Sequence, residues 1–254
     1  DHADNYEKIL FDTGRVIVNF KERKEKIYKD ILLLAKSFKK ELHIIDDEDL
    51  LNEVTALVEM PNILKGSFDE RFLKVPKECL ILTMKANQKY FPLFDHNNNL
   101  TNQFIIVSNL TPADSSKIIQ GNEKVIRPRL ADAEFFFEQD KKQSLKTYSK
   151  KLNSIVYHNK LGTQAERAKR VATILMYISD KLKYKANIDF QDFALVSKAD
   201  LLTLMVGEFP KLQGIMGAIY VSEDPHYKNI ASAIEDHYKP KFSGDKLPRD
   251  VFGN

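Results

Sequence analysis

Asp200, Glu208, Asp236 and His237 are the side chains in this sequence best suited to gather round a divalent cation, since carboxylates and an imidazole are its ordinary protein ligands. Asp200 and Glu208 stand eight residues apart, about two helical turns, so one unbroken helix would put them on one face. Pro210, Gly207, Gly214 and Gly217 argue that such a helix ends nearby. No second histidine stands at ligand spacing, and lysines lie close to the acids, so a structural role is the stronger reading.

Different chemistry is offered by Gly121–Phe137. Arg127 and Arg129 flank Pro128, and a guanidinium fork suits bidentate contact with a phosphate or a carboxylate. Asp132 and Glu134 are near enough in sequence to neutralise them, and on chemistry alone an internal ion-pair network is favoured. Phe135, Phe136 and Phe137 could stack on bases, but three aromatics at a helix end more often belong to a core. Cys79 lies in an apolar helical run and reads as a small buried residue, not a nucleophile. No phosphate-binding glycine loop, dinucleotide fingerprint, Gly-x-Ser-x-Gly elbow or His-Glu-x-x-His is present, so no complete active site is visible.

Charge is unevenly placed. The 254 residues carry a net +3, yet residues 141–185 alone carry +10, through Lys141, Lys142, Lys146, Lys150, Lys151, Lys160, Arg167, Lys169, Arg170, Lys181, Lys183 and Lys185. That density suits a polyanion, and equally a solvated lysine face. Every apolar run is broken by charge before the roughly 18 residues of a membrane helix, so no membrane span is expected. A single cysteine excludes a disulfide framework, and nine glycines and nine prolines are too few for a turn-rich β sandwich. The first residues, Asp1-His2-Ala3-Asp4, lack an initiator Met and a secretory pattern, so the chain reads as a piece of a longer cytoplasmic protein.

The elements that must position these residues follow from period and punctuation. A short strand is expected at Arg15–Phe20, a helix from Lys21 to Lys40 burying Ile27, Ile31, Leu34 and Phe38, and a short strand at Leu42–Ile45. Asp46, Asp47, Glu48 and Asp49 should cap a helix ended by Pro61. Another helix should run from Pro76 to Gln88, followed by strands Tyr90–Phe94 and Phe104–Ser108 joined through Asp95–Asn99. From Asp114 helix signals dominate, with a glycine break at Gly121, and helices are expected at 143–157, 164–183, 190–205 and 227–238. The fold class is therefore α+β, with a mixed region over 1–145 and an all-α region over 146–254.

Five stretches carry a resemblance: Thr83–Phe91, Val107-Ser108-Asn109, Gly121–Phe137, Lys160-Leu161-Gly162 and Lys198–Gly217. Together, in this order, they resemble the β subunit of bacterial glycyl-tRNA synthetase over nearly the whole chain. The resemblance implies a fragment from the middle of a subunit of an α2β2 ligase. In that assembly the α subunit forms glycyl-adenylate with ATP and Mg, while the β subunit binds glycine tRNA. The fragment would hold tRNA near its acceptor arm, with no catalytic residue, cofactor or metal of its own.

The second half also looks like the HD fold of metal-dependent phosphohydrolases. On that likeness Arg167 occupies the first ligand histidine's place and Ser197-Lys198 the place of the His-Asp pair, so cations replace metal ligands. The residues expected to contact the tRNA backbone are Lys124, Arg127, Arg129, Lys150, Lys151, Lys160, Arg167, Lys169 and Arg170. Two alternatives stay open: a divergent HD phosphohydrolase using Asp200, Glu208 and His237, and a scaffold that mainly binds the α subunit.

Overall fold

The computed structural model describes residues 2–38, 42–184 and 189–249. The chain divides into two compact units between Glu134 and Phe135. In the first, a short helix α1 (Tyr6–Ile9) widens into a π turn over Leu10–Gly14, closed by Arg15 in the left-handed region at φ 56°. The strand expected at Arg15–Phe20 does not form. Only the Ile17 amide finds a backbone partner across the chain, the Glu59 carbonyl, while the Arg23 guanidinium takes the carbonyls of Ile17, Val18 and Thr55. A side-chain donor thus does what a neighbouring strand would have done.

Helix α2 (Phe20–Lys36) starts at Asn19, whose side chain accepts the amides of Lys21 and Glu22. It buries Ile27, Ile31 and Ala35, with Leu34 and Phe38 half-buried at the edge of the same core. It ends at Lys36, and Lys39 and Lys40 of the longer expected helix lie outside the described residues. The strand expected at Leu42–Ile45 reduces to one bridge, His43 with Phe94. Helix α3 (Glu48–Leu57) is capped by Asp47 as its acids implied, the carboxylate accepting the Leu50 amide at 2.9 Å. It stops before Pro61 because Val58 is already extended and Asn109 Oδ1 accepts the amides of Glu59 and Met60.

Strand β1 (Asn62–Ser67) has no clear alternation in its sequence and was not foreseen. It pairs with the long strand β3 (Leu100–Ser108), as does β2 (Phe91–Phe94), giving an antiparallel sheet in the order β1-β3-β2. Gly66 of β1 faces Phe104, and the Phe104 ring fills the space a Cβ there would take. Helix α4 (Lys77–Gln88) precedes β2, with Pro76 at the cap and not in the first turn. The β2–β3 turn is set by Asn98 at φ 60° and by Asp95, which accepts the amides of Asn97 and Asn99. Ile27, Ile31, Leu50, Val54, Leu93 and Ile105 form the core between helices and sheet.

Helix α5 (Ser116–Asp140) runs through Gly121 without the expected break and through Pro128 as well. Burial of Ile126, Leu130, Ala133 and Phe137 at three-and-four spacing outweighs the roughly 1 kcal/mol glycine cost and the bond lost at proline.

The second unit is mainly helical but contains a hairpin where a helix over 143–157 was expected. Helix α6 (Leu145–Ser149) is one short turn, with Ser149 bonding back to the Lys146 carbonyl. Strands β4 (Val156–His158) and β5 (Gly162–Thr163) follow, turned by Gly162 at φ 85°. Thr163 and Glu166 then form a capping box for α7 (Gln164–Leu182), which packs Ala168 and Ala172 against Ala194 of α8 (Phe190–Val196).

The long helix expected over 190–205 is broken. Ser197 donates to the Ala194 carbonyl, Thr203 donates to the Asp200 carbonyl, and Thr203 also caps α9 (Leu204–Glu208). Helix α10 (Ile215–Ser222) was not foreseen because its glycines read as breaks, whereas Gly217 is there to admit Ile234 and Asp200. Helix α11 (Ala231–Asp236) is the shortened form of the helix expected at 227–238. Among the described residues no helix is long and apolar enough to cross a membrane.

Candidate functional site

On α5, Lys124, Arg127 and Arg129 are all exposed. At 100° per residue, Arg127 and Arg129 project from opposite flanks of the buried stripe, so they diverge and do not grip one group. The internal ion-pair network favoured by sequence does not form: Glu134 lies 3.7 Å from Arg71, and among the described residues neither Arg127 nor Arg129 has an ion-pair partner. The three phenylalanines part company too, with Phe137 buried, Phe136 half-buried and Phe135 exposed.

In the second unit, Lys150 follows α6, Lys151 adjoins it, and Lys160 sits in the β4–β5 turn, all exposed. Arg170 reaches back from α7 to the Leu161 carbonyl at 3.0 Å, tying that turn to the helix, and Lys169 is exposed beside it. Arg167 is half-buried, its guanidinium 4.8 Å from the Tyr157 ring centre. Part of the basic stretch is neutralised, since Lys141 pairs with Glu223 and Lys146 with Asp192. Lys185 lies outside the described residues.

The four candidate metal ligands do not converge. Asp236, fully buried, is held by Lys239 and by the amide and Nε of Arg249. Burial alone would raise its pKa, but the bonds from Arg249 and Lys239 outweigh it and hold the carboxyl far below the usual range. Glu208 is exposed at the end of α9. Among the described residues no three His, Cys, Asp or Glu side chains are grouped to hold a metal ion.

What does gather is a different set. Asp200, with no exposed surface, accepts the amides of Gly214 at 2.6 Å and Gly217 at 3.3 Å through Oδ2, and its Oδ1 has no hydrogen-bond partner. Lys198 stands over the Tyr238 ring at 3.8 Å from its centre, and the His237 and Tyr238 rings are 4.0 Å apart. Burial pushes the Lys198 ammonium down to about 8, with Arg167 reinforcing and Asp200 opposing. Burial likewise lifts Asp200 to about 6 against the glycine amides and Lys198. His237 is driven down to about 4, first by burial and then by the Lys198 charge, so its ring is neutral at pH 7. Its Nδ1 lies 2.6 Å from the Ile234 carbonyl, which only accepts, so Nδ1 carries the proton and Nε2 presents a buried lone pair with no donor.

Arg167 and Lys198, thirty-one residues apart in sequence, therefore act on one another and on His237. They are the residues that the HD likeness put in place of metal ligands. Sequence reasoning had no signal for Tyr238 as the floor under Lys198, because an aromatic after a helix end is ordinary.

The glycyl-tRNA synthetase beta subunit family matches residues 1–254. The chain belongs to that family. Among curated proteins it is 55% identical over 251 residues to the glycine–tRNA ligase beta subunit of Janthinobacterium sp. (strain Marseille), covering 99% of this chain and 36% of that protein. It is 54% identical over 252 residues to the protein of the same name from Thiobacillus denitrificans, again over 99% of this chain and 36% of that one. The chain thus spans about a third of the length of these beta subunits.

Proposed function

We propose that this part of the glycine–tRNA ligase β subunit binds and positions tRNA and does no chemistry itself. Glycine tRNA would be held near its acceptor arm while an α subunit, in an α2β2 assembly in the cytoplasm, uses ATP and Mg to activate glycine. Positioning of this kind lowers the barrier by converting an encounter into a step within one complex. The observation that carries the reading is the pair Arg127 and Arg129, exposed on α5 and without a carboxylate partner among the described residues. An arginine that the fold does not neutralise is free to meet a phosphate, and two that diverge would each meet a different, non-adjacent phosphate.

Lys124, Lys150, Lys151, Lys160, Lys169 and Arg170 extend the same surface chemistry, each exposed. The hydrolase alternative fits the residues poorly. Among the described residues Asp200, Glu208 and His237 are not grouped to hold a metal ion, and the Lys198 charge, which acts on both Asp200 and His237, repels a divalent ion.

The test is binding of labelled glycine tRNA to the complete β subunit across a salt series, beside the variant Arg127→Ala, Arg129→Ala, Lys169→Ala, Arg170→Ala. Each phosphate contact contributes about 0.7 to 0.9 to the slope of log affinity against log salt. The variant should lose about 3 in slope while staying folded; an unchanged slope would overturn the reading. Mixed with the α subunit, the β subunit should run at the mass of two of each, and a mass equal to the lone subunit would refute the assembly.

A further inference from the structure

The β4–β5 hairpin of the second unit has no core to serve. Val156, Tyr157 and His158 of β4 are all exposed, and neighbours along a strand point to opposite faces, so neither face of β4 is a packing face. Yet the hairpin carries apolar bulk: Val156 is 65% exposed, Tyr157 43% and Leu161, in its turn, 53%. One exposed apolar residue is ordinary surface, but three on one small projection mark a contact surface. The hairpin is also held in shape. Ile155 accepts the Gln164 amide at 2.8 Å, the Leu161 amide donates to the His158 carbonyl at 3.0 Å, and Arg170 reaches the Leu161 carbonyl from α7. Arg167, on the same helix, braces the Tyr157 ring with its guanidinium 4.8 Å from the ring centre.

The charge around the hairpin decides what this surface meets. No Asp or Glu stands between Asp140 and Glu166. Glu166 is itself occupied by the amide and hydroxyl of Thr163 in the capping box. Lys150 and Lys151, just before the hairpin, and Lys160, in its turn, are exposed and among the described residues have no carboxylate within ion-pair distance, whereas Lys141 and Lys146 are paired. A basic, acid-free surface around an aromatic ring fits a polyanion that carries flat groups to stack, and single-stranded nucleic acid is that polyanion. A duplex keeps its bases stacked on one another and shows a protein only edges and backbone, so it gives the Tyr157 ring nothing to lie on. We propose that the β4–β5 hairpin is a stacking site for an unpaired RNA base, Tyr157 taking the face of the base and Lys150, Lys151 and Lys160 the neighbouring phosphates. This site rests on the RNA reading above and narrows it to an unpaired segment, and it needs neither Arg127 nor Arg129.

The experiment is binding of the complete β subunit to two labelled RNA hairpins, one blunt and one with an unpaired 3′ tail, across a salt series. The tailed RNA should bind more tightly, and Tyr157→Ala should weaken it by about tenfold, the size of one base stacked on an aromatic, while leaving the blunt RNA unchanged. No phosphate contact is lost in Tyr157→Ala, so the slope of log affinity against log salt should stay that of the parent. Lys160→Ala should instead lower that slope by about 0.7 on the tailed RNA. Tyr157→Phe, which keeps the ring, should bind as the parent does. If Tyr157→Ala does not fold, nitration of Tyr157 in the unaltered subunit still decides: the tailed RNA should block it and the blunt RNA should not.

Equal binding of the two RNAs, or a tailed RNA indifferent to Tyr157→Ala, would overturn the stacking site. So would a Tyr157 that resists nitration in the subunit without RNA, since another part of the chain would then cover the ring. A Tyr157→Ala variant that loses the α subunit and keeps the tailed RNA would overturn it too, because the hairpin would then be a protein contact. The positioning reading fails separately. An unchanged salt slope in the variant Arg127→Ala, Arg129→Ala, Lys169→Ala, Arg170→Ala, beside a tailed RNA that still needs Tyr157, would strike the phosphate surface named there and leave the stacking site standing.

Discussion

Replacing Asp140 should destabilise the second unit more than its place at a helix end suggests. An acid on the last residue of α5 opposes the helix dipole, so its own helix gives no reason for it. Its carboxylate, 1% exposed, instead accepts the amides of Leu204 at 2.8 Å and Met205 at 2.9 Å, the first two residues of α9, and the Tyr220 hydroxyl at 2.9 Å. The Tyr148 hydroxyl at 3.5 Å is too long to add much. Bonds to a charged acceptor are worth about 1.5 to 3 kcal/mol each. Leu204 is at the surface, so its freed amide finds water, whereas Met205 is fully buried and its amide does not.

With the desolvation cost of the lost carboxylate returned, Asp140→Ala should cost about 3 to 4 kcal/mol, and Asp140→Asn, which keeps one acceptor oxygen, about half that. With no tryptophan in the chain, far-UV circular dichroism in a urea series reads the loss, and hydrogen exchange at the Met205 amide reads its place. A loss under about 1 kcal/mol in Asp140→Ala, with Met205 still protected, would refute the argument that this carboxylate anchors α9.

Gly66→Ala should cost about 1 to 3 kcal/mol, because a Cβ there would come within 2.5 Å of the Phe104 ring, which is fully buried and stacked 4.7 Å from Tyr90 and so has little room to move; a urea midpoint like that of the parent would contradict it. Arg249→Ala should cost about 1 to 2 kcal/mol at neutral pH, discounted for the half-exposed guanidinium. Asp236 has a lowered folded pKa, so the stability it supplies is present above its unfolded value of about 4 and is lost as pH falls below it. The gap between Arg249→Ala and the parent should therefore close as pH drops from 5 toward 2, and a gap that stays constant over that range would show that Asp236 is not its origin.

Local chemistry made several elements legible. Asp47 and the apolar residues after it specify α3, Thr163 with Glu166 specifies the start of α7, and the asparagines of Asp95–Asn99 specify the hairpin, because caps and turns are decided within a few residues. The stretch Arg15–Asn19 misled for the opposite reason: β-branched residues invite a strand, yet a strand needs a partner edge, and Arg23 supplied the hydrogen bonds instead. Strand β1 was hidden by its lack of alternation, and helix α10 because Gly217, read as a break, is a close-approach position for Ile234 and Asp200.

For the site, sequence determined the supply of charge, the family, and the exposed arginines beside Pro128. It could not decide who pairs with whom. Glu134 stands seven residues from Arg127, on the same face of the helix two turns along, yet pairs with Arg71 sixty-three residues away. Only the tertiary structure sets Lys198 over the Tyr238 ring with His237 beside it and leaves Asp200 Oδ1 and His237 Nε2 buried without a partner, because desolvation and pairing depend on distances through space that a chain acquires when its helices pack.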